Sequence, residues 1–161
     1  MRRDIAIVEY SFIFCSSIST VLFLYLISRT KSLRVLWNES PPLFVLFLSV
    51  FCWTLTTSNI AIQWILIASG VFSLNPGNVI FFQCSGVAAF SVRRFYHCSV
   101  VGVYIQRVYY MVSPFHQPRY LNTLLVVLTL TVTITASVVV VCISVVLTDF
   151  SNPYISKGSS L

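Results

Sequence analysis

Acidic side chains are almost missing: the 161 residues hold four Asp and Glu against ten Lys and Arg, and charged residues of both signs make up 9%. A soluble domain usually carries about 25% charged residues, because its surface must stay hydrated. With 57% hydrophobic residues and a mean hydropathy of +0.89, this chain cannot cover itself in water. An ordinary soluble enzyme is thereby excluded. Five glycines and six prolines are too few for a collagen-like or low-complexity chain. Internal repeats are absent as well. Basic runs stop at Arg2-Arg3 and Arg93-Arg94, so the net charge of +6 forms no patch for nucleic acid. Cys15, Cys52, Cys84, Cys98 and Cys142 are dispersed, with no CxxC and no Cys/His pair at zinc spacing, so neither a metal nor another cofactor is expected.

What the chain has is four long apolar runs. The expected fold class is therefore an all-α membrane protein with four transmembrane helices, at about residues 5–28, 43–68, 79–112 and 121–147, followed by a polar tail at 148–161. The first run is too long for a signal-peptide core. Asp4 and Glu9 spoil its leading segment, and Arg29, Lys31 and Arg34 follow as a stop-transfer cluster. It is read as a retained helix. Asn38-Glu39-Ser40 forms a polar link before Pro41-Pro42, which suit a first helical turn. Residues 69–78, with Asn75-Pro76-Gly77, are expected to form a turn. Arg29, Lys31, Arg34, Arg107 and Arg119 fall on one side, and Arg2, Arg3 and Lys157 on the other. That balance predicts the first and third loops inside and the N-terminus outside, and the expected location is the plasma membrane. The formal sequon at Asn38 then lies inside and is not a glycosylation site.

The third run carries the chemistry. Arg93, His97, Val100, Tyr104 and Arg107 are spaced four, three, four and three apart, so they share one helical face; Arg94 begins the neighbouring stripe. Hydrocarbon cannot solvate guanidinium: even lenient scales charge roughly 2.5–3.5 kcal/mol for an arginine at mid-bilayer. The face is therefore expected to look toward other helices or a water-filled cavity. Arg93 lies about 21 Å above Arg107 on helical rise, in the outer third of a core about 30 Å thick. Two readings fit Arg93 and Arg94. They bind an anionic or carbonyl-bearing small extracellular ligand, with His97 beside them, or they snorkel and bond hydroxyls such as Thr57 and Ser58. His97 by itself also fits a packing role.

The segment Gln106-Arg107-Val108-Tyr109-Tyr110-Met111-Val112-Ser113-Pro114-Phe115, closing with Tyr120, resembles the Asp/Glu-Arg-Tyr region and second intracellular loop of rhodopsin-like seven-helix receptors. The aromatic-rich chain is most similar to nematode chemosensory receptors. The resemblance implies the first four helices of a seven-helix bundle, with Arg107, Tyr109 and Pro114 coupling to a heterotrimeric G protein. It also makes Cys84 the candidate for the outer disulfide. Departures are specific: Gln106 replaces the acid, Val108 the aromatic, helix two lacks an aspartate, and Phe82 stands where the disulfide cysteine is expected. Helices five to seven have no counterpart, and Asn152-Pro153-Tyr154 has the wrong spacing for their Asn-Pro-x-x-Tyr motif. A fragment, a shortened isoform or a degraded gene product is implied, with coupling reserved to a full-length form. The alternatives are a tetraspan scaffolding protein and a membrane enzyme or transporter subunit. The first lacks the usual long cysteine-bearing loop, and the second lacks paired acids.

Overall fold

The computed structural model describes residues 2–30, 32–71, 76–113 and 119–147, and all of its regular structure is helical. In chain order the helices are α1 (Arg2–Thr30), α2 (Leu33–Glu39), α3 (Pro41–Ala68), α4 (Pro76–Val112) and α5 (Arg119–Leu147). The four long runs each become one helix. Three of them, over Asp4–Thr30, Pro41–Ala68 and Tyr120–Val146, are long and apolar enough to cross a membrane. The structure thus supports a helical membrane protein with three such spans. α4 reaches about 55 Å at 1.5 Å per residue, but Gln83, Arg93, Arg94, His97, Gln106 and Arg107 dilute its apolar character.

Element ends follow local chemistry. Asp4 lies in the first turn of α1 and Arg29 in its last, both favourable to the helix dipole. α3 opens on Pro41-Pro42, where no intrahelical amide bond is lost. It closes on Gly70, whose φ of 80° lets the Gly70 amide reach Ile67 O at 3.0 Å and the Val71 amide reach Leu66 O at 3.1 Å. That pair of bonds is a Schellman cap, which needs a left-handed residue at this place. Two expected links are shorter than the sequence suggested. Residues 33–39 form α2, about two turns at 3.6 residues per turn, pinned by buried Leu36. Pro76, expected as a breaker, instead starts α4, which its missing amide allows.

α3 is the hub: α1, α2 and α4 pack on it, and α5 packs mainly on α4. Successive long helices run antiparallel, as shown by the pairs Tyr10–Trp64 and Ser17–Thr57 between α1 and α3. Gln63–Ser85 and Ser40–Gln106 do the same between α3 and α4, and Gln83–Ser144 and Gln106–Asn122 between α4 and α5.

The interior mixes small and polar residues with Leu24, Leu36, Val45, Ala61, Leu125 and Val126. Ser17, Ser49, Thr54, Gln63, Ser99, Gln106 and Thr129 are buried, whereas Phe12, Phe23, Leu55, Val101, Leu128 and Val138 are exposed. In water this would be inverted, but lipid tails are as apolar as leucine. Helices in a bilayer therefore associate by close packing and hydrogen bonds rather than by hiding large apolar groups. Three buried hydroxyls bond within their own helices: Ser49 donates to Leu46 O at 2.7 Å, Thr54 to Phe51 O at 2.8 Å and Ser99 to Phe95 O at 2.7 Å.

Gly102 marks a close approach, since a Cβ there would lie 3.2 Å from Thr129 Oγ1 on α5. Gly86, by contrast, has nothing within 4 Å of such a Cβ. Gly102→Leu should therefore destabilise the bundle by about 1–3 kcal/mol through overpacking. Gly86→Leu should leave the midpoint of thermal unfolding in detergent unchanged or slightly raised. Equal effects from the two substitutions would contradict the close approach.

Candidate functional site

The rotation of α4 about its axis places every candidate residue. Its buried side carries Ser99, Gly102 and Gln106, the first and last each 2% exposed. Arg93, Arg94, His97, Tyr104 and Arg107 are exposed, so α1, α3 and α5 leave this face open. The expectation that the stripe turns toward other helices is thus not met by the described residues. The physical reason is competition for the close-packed side. Serine, glycine and a hydrogen-bonded glutamine let helix backbones approach, whereas a guanidinium between α3 and α4 would need a buried acid, and those helices supply none. Thr57 and Ser58, suggested as snorkelling partners, give their protons to Trp53 O and Thr54 O on their own helix, both at 2.8 Å. Arg94 stacks over the Phe90 ring, one turn earlier, with 4.7 Å from its guanidinium carbon to the ring centroid. A cation–π contact of this kind shelters charge without a counter-ion.

Two grooves flank the open face. One, about 370 Å³, lies between α1 and α3 and is lined by Phe12, Ser16, Ser17, Trp53, Thr57 and Tyr96 among others. Tyr96 is the α4 residue that reaches it, and its ring lies 5.5 Å from that of His97. The other, about 250 Å³, runs between α4 and α5 past His97, Gly102, Leu125 and Thr129. The structure therefore brings Arg93, Tyr96 and His97 onto adjoining turns beside hydroxyl-lined space, with Arg94 turned further round the helix. None of the arginines lines either groove. Sequence reasoning did not single out Tyr96, Ser16 or Ser17. The usable signal was the run of hydroxyls at helical spacing in α1 and α3, Ser16-Thr20 and Thr54-Ser58.

At the end of the bundle that carries α2, Gln106 is the centre of a polar clasp. Ser40 Oγ, at the head of α3, donates to Gln106 Oε1 at 3.1 Å; Gln106 Nε2 donates to Asn122 Oδ1 at 2.8 Å. Tyr110 OH donates to the same Asn122 oxygen at 3.0 Å. Four side chains thus tie α3, α4 and α5 together, and they hold Gln106 inward so that Arg107, the next residue, faces out. Tyr109 is half-buried and meets Tyr110 edge-on at 6.3 Å. Pro114 lies outside the described residues. Cys84 is exposed, with a free thiol.

Near the opposite end, Gln63 lies 8% exposed between α3 and α4. Ser85 Oγ lies 3.0 Å from Gln63 Oε1 and 2.8 Å from Phe82 O, but its single proton can serve only one of them. Turning the amide, so that Nε2 donates to Ser85 Oγ, frees that proton for Phe82 O and leaves Oε1 the atom without a partner. In either orientation one amide atom of Gln63 is unpaired among the described residues.

The clasp makes a direct prediction. A double-mutant cycle of Gln106→Ala and Asn122→Ala, followed by thermal unfolding, should show a coupling of about 0.6 kcal/mol and up to about 1.7, the range of interhelical hydrogen bonds in membranes. Strict additivity would mean that the two amides do not interact. Compared with protein-family models, with curated proteins and with solved structures, the chain matches none of them.

Proposed function

We propose that this chain is the helix-one-to-four part of a chemosensory seven-helix receptor, with α4 as a fourth membrane span. It takes a small extracellular ligand bearing a carboxylate or carbonyl at Arg93, Arg94 and His97. Helix movement is reported through Arg107, with Tyr109 and Pro114, to a heterotrimeric G protein in a seven-helix form. The observation that carries this reading is the open face of α4, where three arginines and a histidine stand exposed on a long helix among apolar spans. Cations at that depth are costly and mark sites of function by default. The adjoining groove of about 370 Å³ lies within the roughly 300–1,000 Å³ of small-molecule pockets. Ser17, Thr20 and Thr57 in its wall already donate to backbone, so they present acceptor lone pairs, while Arg93 and His97 supply the donors. An elongated molecule with one acidic end suits that division.

The resemblance at Gln106–Phe115 supports the second half of the reading. In this chain Gln106 is engaged by Ser40 and Asn122, which leaves Arg107 exposed at the end of the helix for a partner protein. The test uses the full chain in nanodiscs with decanoate and decanol as probes of equal length. Decanoate should raise the thermal midpoint; decanol at the same concentration should not. Arg93→Ala/Arg94→Ala should abolish the shift. Arg107→Ala should keep it and, in a seven-helix form, weaken binding of a purified GDP-bound heterotrimer about tenfold or more, which is about 1.4 kcal/mol. A shift that survives removal of both arginines contradicts the ligand site, and unchanged heterotrimer binding contradicts the role of Arg107.

A further inference from the structure

A third groove, apart from the face just described, lies at the α2 end between α1, α2 and α3. It measures about 360 Å³ and is walled by Leu24, Tyr25, Leu33, Phe44, Phe47 and Phe51. The wall is almost wholly apolar, with Ser28 as its one aliphatic hydroxyl, and that hydroxyl donates to Tyr25 O at 2.8 Å. Arg29 directly follows Ser28, and Arg34 directly follows Leu33, so the two wall ends nearest the link between α1 and α2 each carry a guanidinium. Both arginines are exposed, and neither pairs with another described residue. Lys31 stands between them in sequence. Trp37, on α2, packs edge-on against Phe44 at 5.3 Å and remains 45% exposed. A half-exposed tryptophan beside a cluster of cations, at the end of two apolar spans, marks the level where hydrocarbon meets headgroups.

We propose that this groove binds an anionic phospholipid from the surrounding leaflet. One acyl chain lies against the aromatic wall, and the headgroup phosphate and carboxylate are held by Arg29 and Arg34. The two parts of the site fit the two parts of that molecule. An apolar channel alone accepts any acyl chain, and exposed cations alone attract any anion. A lipid with a negatively charged headgroup satisfies both. Arginine also suits phosphate better than lysine does, because its planar fork donates two parallel hydrogen bonds. Charge complementarity is one-sided here: the link from Arg29 to Arg34 holds three cations, and the nearest acid, Glu39, closes the far end of α2 and has an interaction of its own. Each cation near an anionic surface contributes a factor of about five in affinity.

Native mass spectrometry of the detergent-solubilised full chain, offered equal amounts of dioleoyl phosphatidylserine and dioleoyl phosphatidylcholine, tests the site. Monomers should retain phosphatidylserine about tenfold over phosphatidylcholine. Arg29→Ala/Arg34→Ala should erase that preference, while Arg29→Lys/Arg34→Lys keeps part of it. Leu48→Trp, an exposed groove residue enlarged in place, should lower retention of both lipids. Helical circular dichroism confirms folding of each variant, and all three positions are exposed. Equal retention of the two lipids by the native chain overturns the proposal. So does a preference that survives loss of both arginines, displacement of the lipid by inorganic phosphate alone, or a lipid-free dimer in place of the lipid-bound monomer.

Discussion

Which side of α4 meets its neighbours decides most of what this chain can do. Ser99, Gly102 and Gln106 make one side narrow and polar enough for α3 and α5 to approach closely, as the 3.2 Å between a Cβ built on Gly102 and Thr129 Oγ1 shows. Because a helix is rigid, burying that side turns Arg93, His97 and Arg107 out together. The clasp of Ser40, Gln106, Asn122 and Tyr110 locks the same rotation at one end, and the contacts Gln63–Ser85 and Gln83–Ser144 lock it at the other. A cationic face exposed on the outside of the bundle is thus a consequence of where the small residues sit.

The same economy of bulk runs through the other helices. Large apolar side chains point away from the bundle, where lipid solvates them, and hydroxyls inside bond the carbonyl a turn earlier instead of searching for distant partners. Such self-bonding leaves interhelical specificity to a few amides. Gln63, Gln83, Gln106 and Asn122 are those amides, and they lie near the two ends of the bundle rather than at its middle. The middle is left to small residues and to the grooves beside Tyr96 and His97.

The number, order and approximate bounds of the long helices were legible in the sequence, because uninterrupted apolar length is a signal that survives without any knowledge of packing. The grouping of Arg93, His97 and Arg107 on one face was legible for the same reason, being a property of helical period alone. Its direction was not. Whether a stripe faces in or out depends on its competition with the opposite stripe. The strength of Ser99-Gly102-Gln106 as a packing surface emerges only when Thr129 and Asn122 are placed against it. α2 was hidden because seven residues carry too little periodicity to separate a helix from a link, and its one anchor, Leu36, counts only once α3 is beside it. Gln106 was visible as a departure from an acidic position; its bonds to Ser40 and Asn122 were not, since Ser40 lies 66 residues away.

The central claim is that α4 crosses the bilayer with its cations, although its composition is less apolar than that of α1, α3 and α5. Impermeant maleimide labelling of single-cysteine forms in sealed vesicles tests it most directly, using Cys84 near one end of α4 and Val108→Cys near the other, each in an otherwise cysteine-free chain. About 36 Å of helical rise separates the two positions. A crossing helix predicts labelling of the two forms from opposite sides of the membrane. Labelling of both from the same side would contradict the account.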